Sequence, residues 1–514
     1  MIRHFYLVNL TMGRQFPFSP SIILQALIVV TISCCSINVV EGVIGVNWGR
    51  QTSHRLIPSM VVDLLLQNDI RHLKVFSVSD NVLEAFAGGD IAITVTLPNE
   101  ALKDVMSAEA AEHWLDQRIR RHQVKNINIS YVHVGSQPFS TFYHTDTYNN
   151  AVDTLKFIQE AIYTSGYENV VATTAHFTDV LKPGIMKPSE ADFRPDLKEK
   201  MVEFVSVLNS SNAPFVMDIF PIYFVAEHKW DFEFCFLDNK SNFSIEDNGH
   251  VYTNVFEFVY DSFVTAITKA GAPNVRVMVG QIGWPTDGYP GANVTNAERF
   301  FREFIPFVKS TKGTPLRPGI SIDVYIHSLV DENRGRINVG AFQRHWGVYL
   351  SNGEPKYKID FSGAHRDIYP STAKGIVFMP KRWCVFKGDK RNLTKVENQV
   401  RRACAQADCT SVFPGGSCSQ LTFDQNVSYA FNRYFQMKSQ YSTNESTCNF
   451  EDLATVVTED PSVGTCKFPV EILAAERAET DGLMKRGGAG DRLQGFFGSA
   501  IVLPLLSIIL FRVI

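Results

Sequence analysis

At 514 residues the chain is longer than one hydrophobic core usually sustains, so more than one domain is expected. A hydrophobic share of 45% and a charged share of 20% are ordinary for a globular protein. The formal net charge of −4, with no basic run, excludes an electrostatic case for a nucleic-acid partner.

In chain order, residues 1–42 come first, with Arg3, His4 and Arg14, an apolar run from Ile22 to Ile32, and small residues toward Gly42. That is the pattern of a secretory signal peptide; an N-terminal membrane anchor is the alternative. From 43 to 360, short β-rich runs alternate with longer stretches of helical period. The runs are Val43–Trp48, His72–Phe76, Ala92–Leu97, Ile129–Val134, Asn169–Thr173, Phe215–Phe220, Arg276–Gly280 and Ile322–His327. Helical stretches between them include Pro58–Gln67, Asn150–Ser165 and Val255–Ala270. Eight such units predict an α/β fold, a (β/α)8 TIM barrel, with a doubly wound open sheet as the alternative. Chemistry in a barrel gathers where strands end. The segments to inspect are therefore Gly45–Gly49, Gly135–Pro138, Gly280–Pro285 and Asp331–Asn333.

Residues 361–382 read as a polar linker, and 383–469 as a small disulfide-rich, mainly helical module. Six of the nine cysteines fall there: Cys384, Cys404, Cys409, Cys418, Cys448 and Cys466. In an exported chain they read as three disulfides, because so small a core needs staples. Zinc is the other reading, but CxxC pairs with histidine partners are missing, so no metal and no cofactor are expected. Cys235 stands alone and reads as a buried free thiol or a weakly reactive loop residue. Eight Asn-x-Ser/Thr sequons, at Asn128, Asn209, Asn239, Asn242, Asn293, Asn392, Asn426 and Asn444, fit a glycosylated exterior. Residues 470–490 read as a disordered tether. Small residues around Gly488, a polar spacer and an apolar tail over 491–514 form a glycosylphosphatidylinositol (GPI) attachment pattern whose tail is removed; a transmembrane tail is the rival. Either way the folded part faces outward, and a monomer is expected.

Gly45-Val-Asn-Trp-Gly49, Gly283-Trp-Pro285, Gly313-Thr-Pro-Leu-Arg-Pro-Gly319 and His345-Trp-Gly347 occur in the order seen in plant glycoside hydrolase family 17. The stretch from 43 to about 360 resembles those endo-β-1,3-glucanases. Trp383-Cys384, Pro414-Gly-Gly-Ser-Cys418, Ser428-Tyr-Ala-Phe-Asn432, Asp460-Pro461 and Gly464-Thr-Cys466 resemble carbohydrate-binding family 43, which binds β-1,3-glucan. The second resemblance implies the pairs Cys384–Cys448, Cys404–Cys409 and Cys418–Cys466, and offers Tyr429, Phe431 and Tyr434 as sugar contacts or core.

The first resemblance implies retaining hydrolysis by two glutamates, a general acid/base after strand four and a nucleophile after strand seven. At those positions this chain has Gln137 and Gln281. Other departures are Ser136 for the Asn beside the acid, Ser77 for the Asp after Phe76, Gln343 for a Glu, and Asp218 for an Asn. Glu332 matches. The resemblance further implies substrate contacts at Asn47, Phe76, Ser136, Tyr223, Trp284, Glu332, Gln343 and Trp346, with barrel packing the competing role for each aromatic. His133, Asp218 and His327 read as residues that satisfy barrel hydrogen bonds.

An amide neither attacks an anomeric carbon nor delivers a proton, and losing a general acid alone costs roughly 10²–10⁴ in rate. The expectation is a non-hydrolytic binder of β-1,3-glucan at the outer face of the plasma membrane, from an atypical, catalytically silent branch of the family. Two rivals stand beside it. One is an active glucanase or transglycosylase using Glu332 or Asp218 as a replacement acid; the other is a surface scaffold that no longer binds sugar.

Overall fold

The computed structural model describes residues 41–141, 150–167, 169–439 and 445–473. The expected signal segment through residue 40, the Asn444 sequon, Gly488 and the apolar tail lie outside them.

Eight parallel strands close into a barrel: β1 Ile44–Trp48, β2 His72–Val75, β3 Ala92–Leu97, β4 Ile129–Ser136, β5 Val171–Phe177, β6 Phe215–Ile219, β7 Val277–Ile282 and β8 Val324–Ile326. Closure runs from β8 back to β1, where Ile44 pairs with Val324 and Val46 with Ile326, so an open doubly wound sheet is ruled out. The strands are short apolar runs because both faces are covered, and every residue of β1, β3, β6 and β7 is buried. Inside, Ala175, Val216, Met278 and Tyr325 pack together, and the Tyr325 hydroxyl reaches Thr94 Oγ1 at 3.0 Å.

Helices α1 Pro58–Gln67, α2 Ala108–Leu115, α3 Ala151–Thr164, α4 Lys198–Ser210, α5 Pro221–His228, α6 Val255–Lys269 and α7 Val294–Lys309 follow the strands. The last illustrates how they form. Asn293 caps its start by accepting from Asn296 N, at 2.8 Å, and one stripe of Ala297, Phe300, Phe301, Phe304, Ile305 and Val308 is buried. Burying each of those large side chains contributes about 2 kcal/mol.

The module follows, with α8 Leu393–Gln406, α9 Phe423–Lys438 and the antiparallel pair β9 Trp383–Phe386 with β10 Ala454–Val457. Disulfides join Cys384 to Cys448, Cys404 to Cys409 and Cys418 to Cys466. Phe431 stacks on Phe450 with ring centres 3.8 Å apart, and Tyr429 packs edge-on to Phe468. Both are core, not sugar contacts; Tyr434 alone of the three stays half-buried.

Two connecting segments are less free than their composition suggests. Within 361–382, the Ser371 carbonyl accepts from Tyr349 Oη, Ser371 N donates to Asn68, and Ala373 is buried. The expected tether at 470 begins instead as packed chain. Glu471, Ile472 and Leu473 are buried, and Glu471 bonds Arg433 of the module and His54 of the barrel. The module also meets the barrel through Ser417 on Asp287, Thr410 on His345, and Arg344 with Asp408 at 2.9 Å. His345, Arg433 and Arg344 together hold the Asp408 carboxyl below its ordinary value against its burial.

Of the sequons, Asn128, Asn209, Asn239, Asn242, Asn293 and Asn392 are exposed. Asn426 is half-buried on α9, with its Oδ1 sealed from solvent.

Candidate functional site

The carboxyl ends of β4, β6 and β7 bring three side chains into contact. Strand β4 ends in a sharp turn at which Gly135 and Gln137 both adopt left-handed backbone, φ 81 and φ 50. A Cβ on Gly135 would stand 2.8 Å from Asn99 Oδ1. That Asn99 clamps the backbone of Ser136, accepting from its N at 2.8 Å and donating to its O at 3.0 Å. The turn aims Gln137 across the barrel mouth; a left-handed non-glycine residue costs of order 1–3 kcal/mol, offset by these contacts.

Across the mouth, Asp218 on β6 and Gln281 on β7 are register partners, and both are buried. Asp218 Oδ2 accepts from Gln137 Nε2 at 2.6 Å and from Gln281 Nε2 at 2.9 Å. A carboxylate only accepts, so each glutamine must present its nitrogen to Asp218 and its oxygen elsewhere. The second carboxylate oxygen lies against Gly280, where a Cβ would be 2.8 Å from Asp218 Oδ1 and 3.7 Å from Lys74 Nζ. Lys74 on β2 is fully buried, and its Nζ makes no hydrogen bond among the described residues. Burial lowers the Lys74 pKa, while Asp218 raises it in part. Burial likewise pushes Asp218 up to about 6, against Lys74 and the two amides, which stabilise the anion.

Around this cluster stand Asn47, whose Nδ2 donates to Gly280 O at 3.0 Å, and an aromatic wall. In that wall Trp346 packs 4.8 Å from Phe220, and Tyr223 packs 4.8 Å from Phe342. Phe76, with Lys74 Nζ 5.4 Å from its ring centre, closes the opposite side edge-on to His327.

Three residues given contact roles sit elsewhere. Trp284 is 0% exposed, stacked on Phe236 and flanked by Phe300, so it has no face for a sugar. Gln343 spends its side-chain oxygen on Val339 N and Gly340 N, capping the turn Ala341–Arg344. Glu332 turns toward β1, accepting from Gln51 N at 2.8 Å, and burial raises its pKa. His133 and His327 do not satisfy barrel hydrogen bonds as expected. Neither ring nitrogen of His133, nor Nδ1 of His327, has a partner among the described residues. Burial drives His133 well below its ordinary value and His327 down to about 3, so both are neutral. Cys235 is a buried free thiol, pushed upward by burial.

The family model for glycosyl hydrolases family 17 matches residues 44–361, and an X8 domain model matches 382–455. This chain belongs to glycosyl hydrolase family 17. Glucan endo-1,3-beta-glucosidase 5 of Arabidopsis thaliana is 37% identical over 481 residues, covering 92% of this chain and 95% of that protein. Glucan endo-1,3-beta-glucosidase 8 of the same plant is 36% identical, covering 84% and 90%. Among solved structures, the β-1,3-glucanase CJP38 of Cryptomeria japonica pollen aligns with TM-score 0.58 at 28% identity, over 62% of this chain and 98% of that one.

Within this family-17 barrel, Asp218, Lys74 and Phe220 are the site residues that motif reading undervalued. The Asp-for-Asn departure at 218 was the available signal. Its meaning appears only when β4 and β7 bring two glutamines onto one oxygen.

Proposed function

We propose that this family-17 chain is a cell-wall protein that grips β-1,3-glucan in the barrel mouth without hydrolysing it, held at the plasma membrane by a GPI anchor. The observation that carries the reading is the amide–carboxylate–amide cluster. Both hydrogen bonds converge on one oxygen, so the amide nitrogens are no more than about 5.5 Å apart, which excludes the wider separation of an inverting pair of carboxyls. The positions suit the reaction; the groups do not. Neither amide is a nucleophile, and neither releases a proton at useful pH.

Asp218 does not replace them. It is 0% exposed, its Oδ2 is covered by both amides, and its Oδ1 faces Gly280 beside Lys74. Glu332 is held by the Gln51 amide. Binding survives this exchange. Asp218 orients the glutamines so that Oε1 of each, which has no protein partner among the described residues, serves as an acceptor for sugar hydroxyls. Half-buried Phe76, Phe220 and Tyr223 supply apolar faces for pyranose rings.

The rival reading, retaining hydrolysis, is favoured by the glucosidase names of the relatives. Purified full-length chain separates the two. Laminarihexaose should bind, with affinity reduced in Phe76→Ala and Tyr223→Ala, and new reducing ends should not exceed those of a Gln281→Ala control. Turnover clearly above that control defeats the proposal.

A further inference from the structure

Beside the docked module lies a cleft of about 540 Å³ that the glucan site does not use. The loop after β1 forms one wall, with Arg50, Gln51 and Arg55; Arg334 comes from the loop after β8; Gln406 and Lys438, at the ends of α8 and α9, form the other wall. The cleft is therefore composite and depends on the docking of the module. Arg334 ties the walls together, donating from Nη1 to Gln406 O at 2.7 Å and from its N to Gln51 O at 2.8 Å.

The charge of this cleft is one-sided. It is lined by Arg50, Arg55, Arg334 and Lys438 and by no acidic side chain. None of the four cations forms an ion pair among the described residues, although the chain as a whole carries more acidic than basic residues. Of the nearby carboxylates, Glu471 pairs with Arg433 and His54, and Glu332 accepts from the Gln51 backbone amide. Arg334 has a structural task at the end of α8, and Lys438 sits in the last turn of α9, where a cation suits the helix dipole. Arg50 and Arg55 have no such account. Arg55 Nε donates to the Arg50 carbonyl, which keeps the two adjacent, and burial together with Arg55 pushes the Arg50 guanidinium below its ordinary value. Two like charges kept adjacent, with no ion-pair partner among the described residues, repel one another until an anion arrives.

We propose that this cleft binds a carboxylated polysaccharide, a chain of uronic-acid residues, through Arg50 and Arg55. Guanidinium forks match carboxylates in paired hydrogen bonds, and Gln51 and Thr52 stand beside them for ring hydroxyls. The volume falls within the range of about 300–1,000 Å³ found for ligand clefts. Uronate binding here is independent of whether the barrel mouth cuts glucan. The chain would then hold a neutral and an acidic polysaccharide at two separate places.

The test is calorimetry on the full-length chain with oligogalacturonate, its fully methyl-esterified counterpart, and laminarihexaose. Oligogalacturonate should bind with affinity that falls as salt rises, and the methyl ester should bind at least about tenfold more weakly. The double variant Arg50→Gln/Arg55→Gln should lose about tenfold or more for oligogalacturonate, while its melting temperature and its laminarihexaose affinity stay unchanged. Arg50→Lys/Arg55→Lys should recover part of the binding. Equal affinity for the methyl ester overturns the proposal, as does undiminished oligogalacturonate binding by the folded double glutamine variant. Should that variant unfold, the single variants Arg50→Gln and Arg55→Gln provide the same comparison, and undiminished binding by both overturns the proposal as well.

Discussion

Restoring the two family glutamates is the natural way to ask whether the barrel mouth can still cut, and the structure predicts that this alone fails. In Gln137→Glu/Gln281→Glu, each donating amide nitrogen becomes a carboxylate oxygen, at positions now 2.6 Å and 2.9 Å from Asp218 Oδ2. Three carboxyls would then crowd one buried point. At a separation of about 3 Å and an effective dielectric of about 20, each anionic pair costs about 5 kcal/mol, equivalent to roughly four pKa units. Buried Lys74 offsets part of this, as it already does for the single carboxylate. The trio would retain protons shared among its members, as carboxyl pairs do. A nucleophile must be ionised while its partner acid stays protonated, and a third carboxyl between them disturbs both conditions.

The matching variant is therefore the triple Gln137→Glu/Asp218→Asn/Gln281→Glu. Its reducing-end release from laminarihexaose should exceed that of the double variant by at least about 10²-fold, the low end of a general acid's contribution. Stability offers a second readout, should other departures such as Ser77 and Ser136 keep both variants slow. In urea titrations near neutral pH the double variant should lose several kcal/mol relative to wild type, and Asp218→Asn should recover most of it. A double variant as active and as stable as the triple would refute the electrostatic reasoning.

Two further outcomes follow from burial. Asp218 has an ordinary pKa of 3.8 and a folded value of about 6, so between those values the folded state binds more protons and stability falls as pH rises. Across that window Asp218 should cost wild type about 3 kcal/mol at about 1.36 kcal/mol per unit, and the cost is absent from Asp218→Asn. Urea midpoints of the two proteins should therefore diverge in favour of the variant as pH rises from 3.8 to about 6 and hold steady above that, and a constant difference across that window would contradict this. Trp284→Ala should destabilise by about 3–5 kcal/mol while the remaining folded protein binds laminarihexaose normally. Loss of binding without loss of stability would return Trp284 to the cleft.

The barrel was legible because parallel strands buried on both faces must be short apolar runs, and eight of them stand between residues 43 and 327 in this chain. Strand ends were less legible. Strand β4 continues to Ser136 and β5 to Phe177, since hydrogen bonding, not composition, decides where pairing stops. Aromatic roles were not legible at all. Trp284 and Trp346 both lie in glycine-flanked motifs, yet Trp284 is sandwiched behind the barrel wall while Trp346 meets Phe220 and His327 at the mouth. Only the direction of each side chain separates them, and direction is a property of the backbone. The packing of Glu471 was hidden for a related reason: its partners Arg433 and His54 are distant in sequence.

The substitutions at 137, 218 and 281 are better understood as one change than as three. The family pattern places a neutral amide on β6 between two carboxyls; this chain places a carboxyl there between two amides. Hydrogen-bonding capacity is largely conserved, because Asp218 still receives one donor from each neighbour. The number of carboxyls at the mouth falls from two to one, and the remaining one moves from where it would face substrate to where it faces Lys74. Independent loss of each glutamate would leave two amides competing for an Asn that already has its own N–H groups to place. A carboxylate at 218 resolves that conflict, since it accepts from both. Asp218 holds both glutamines of the barrel mouth in place, and Asp218→Asn in the otherwise wild-type chain should loosen them even as it relieves the buried charge.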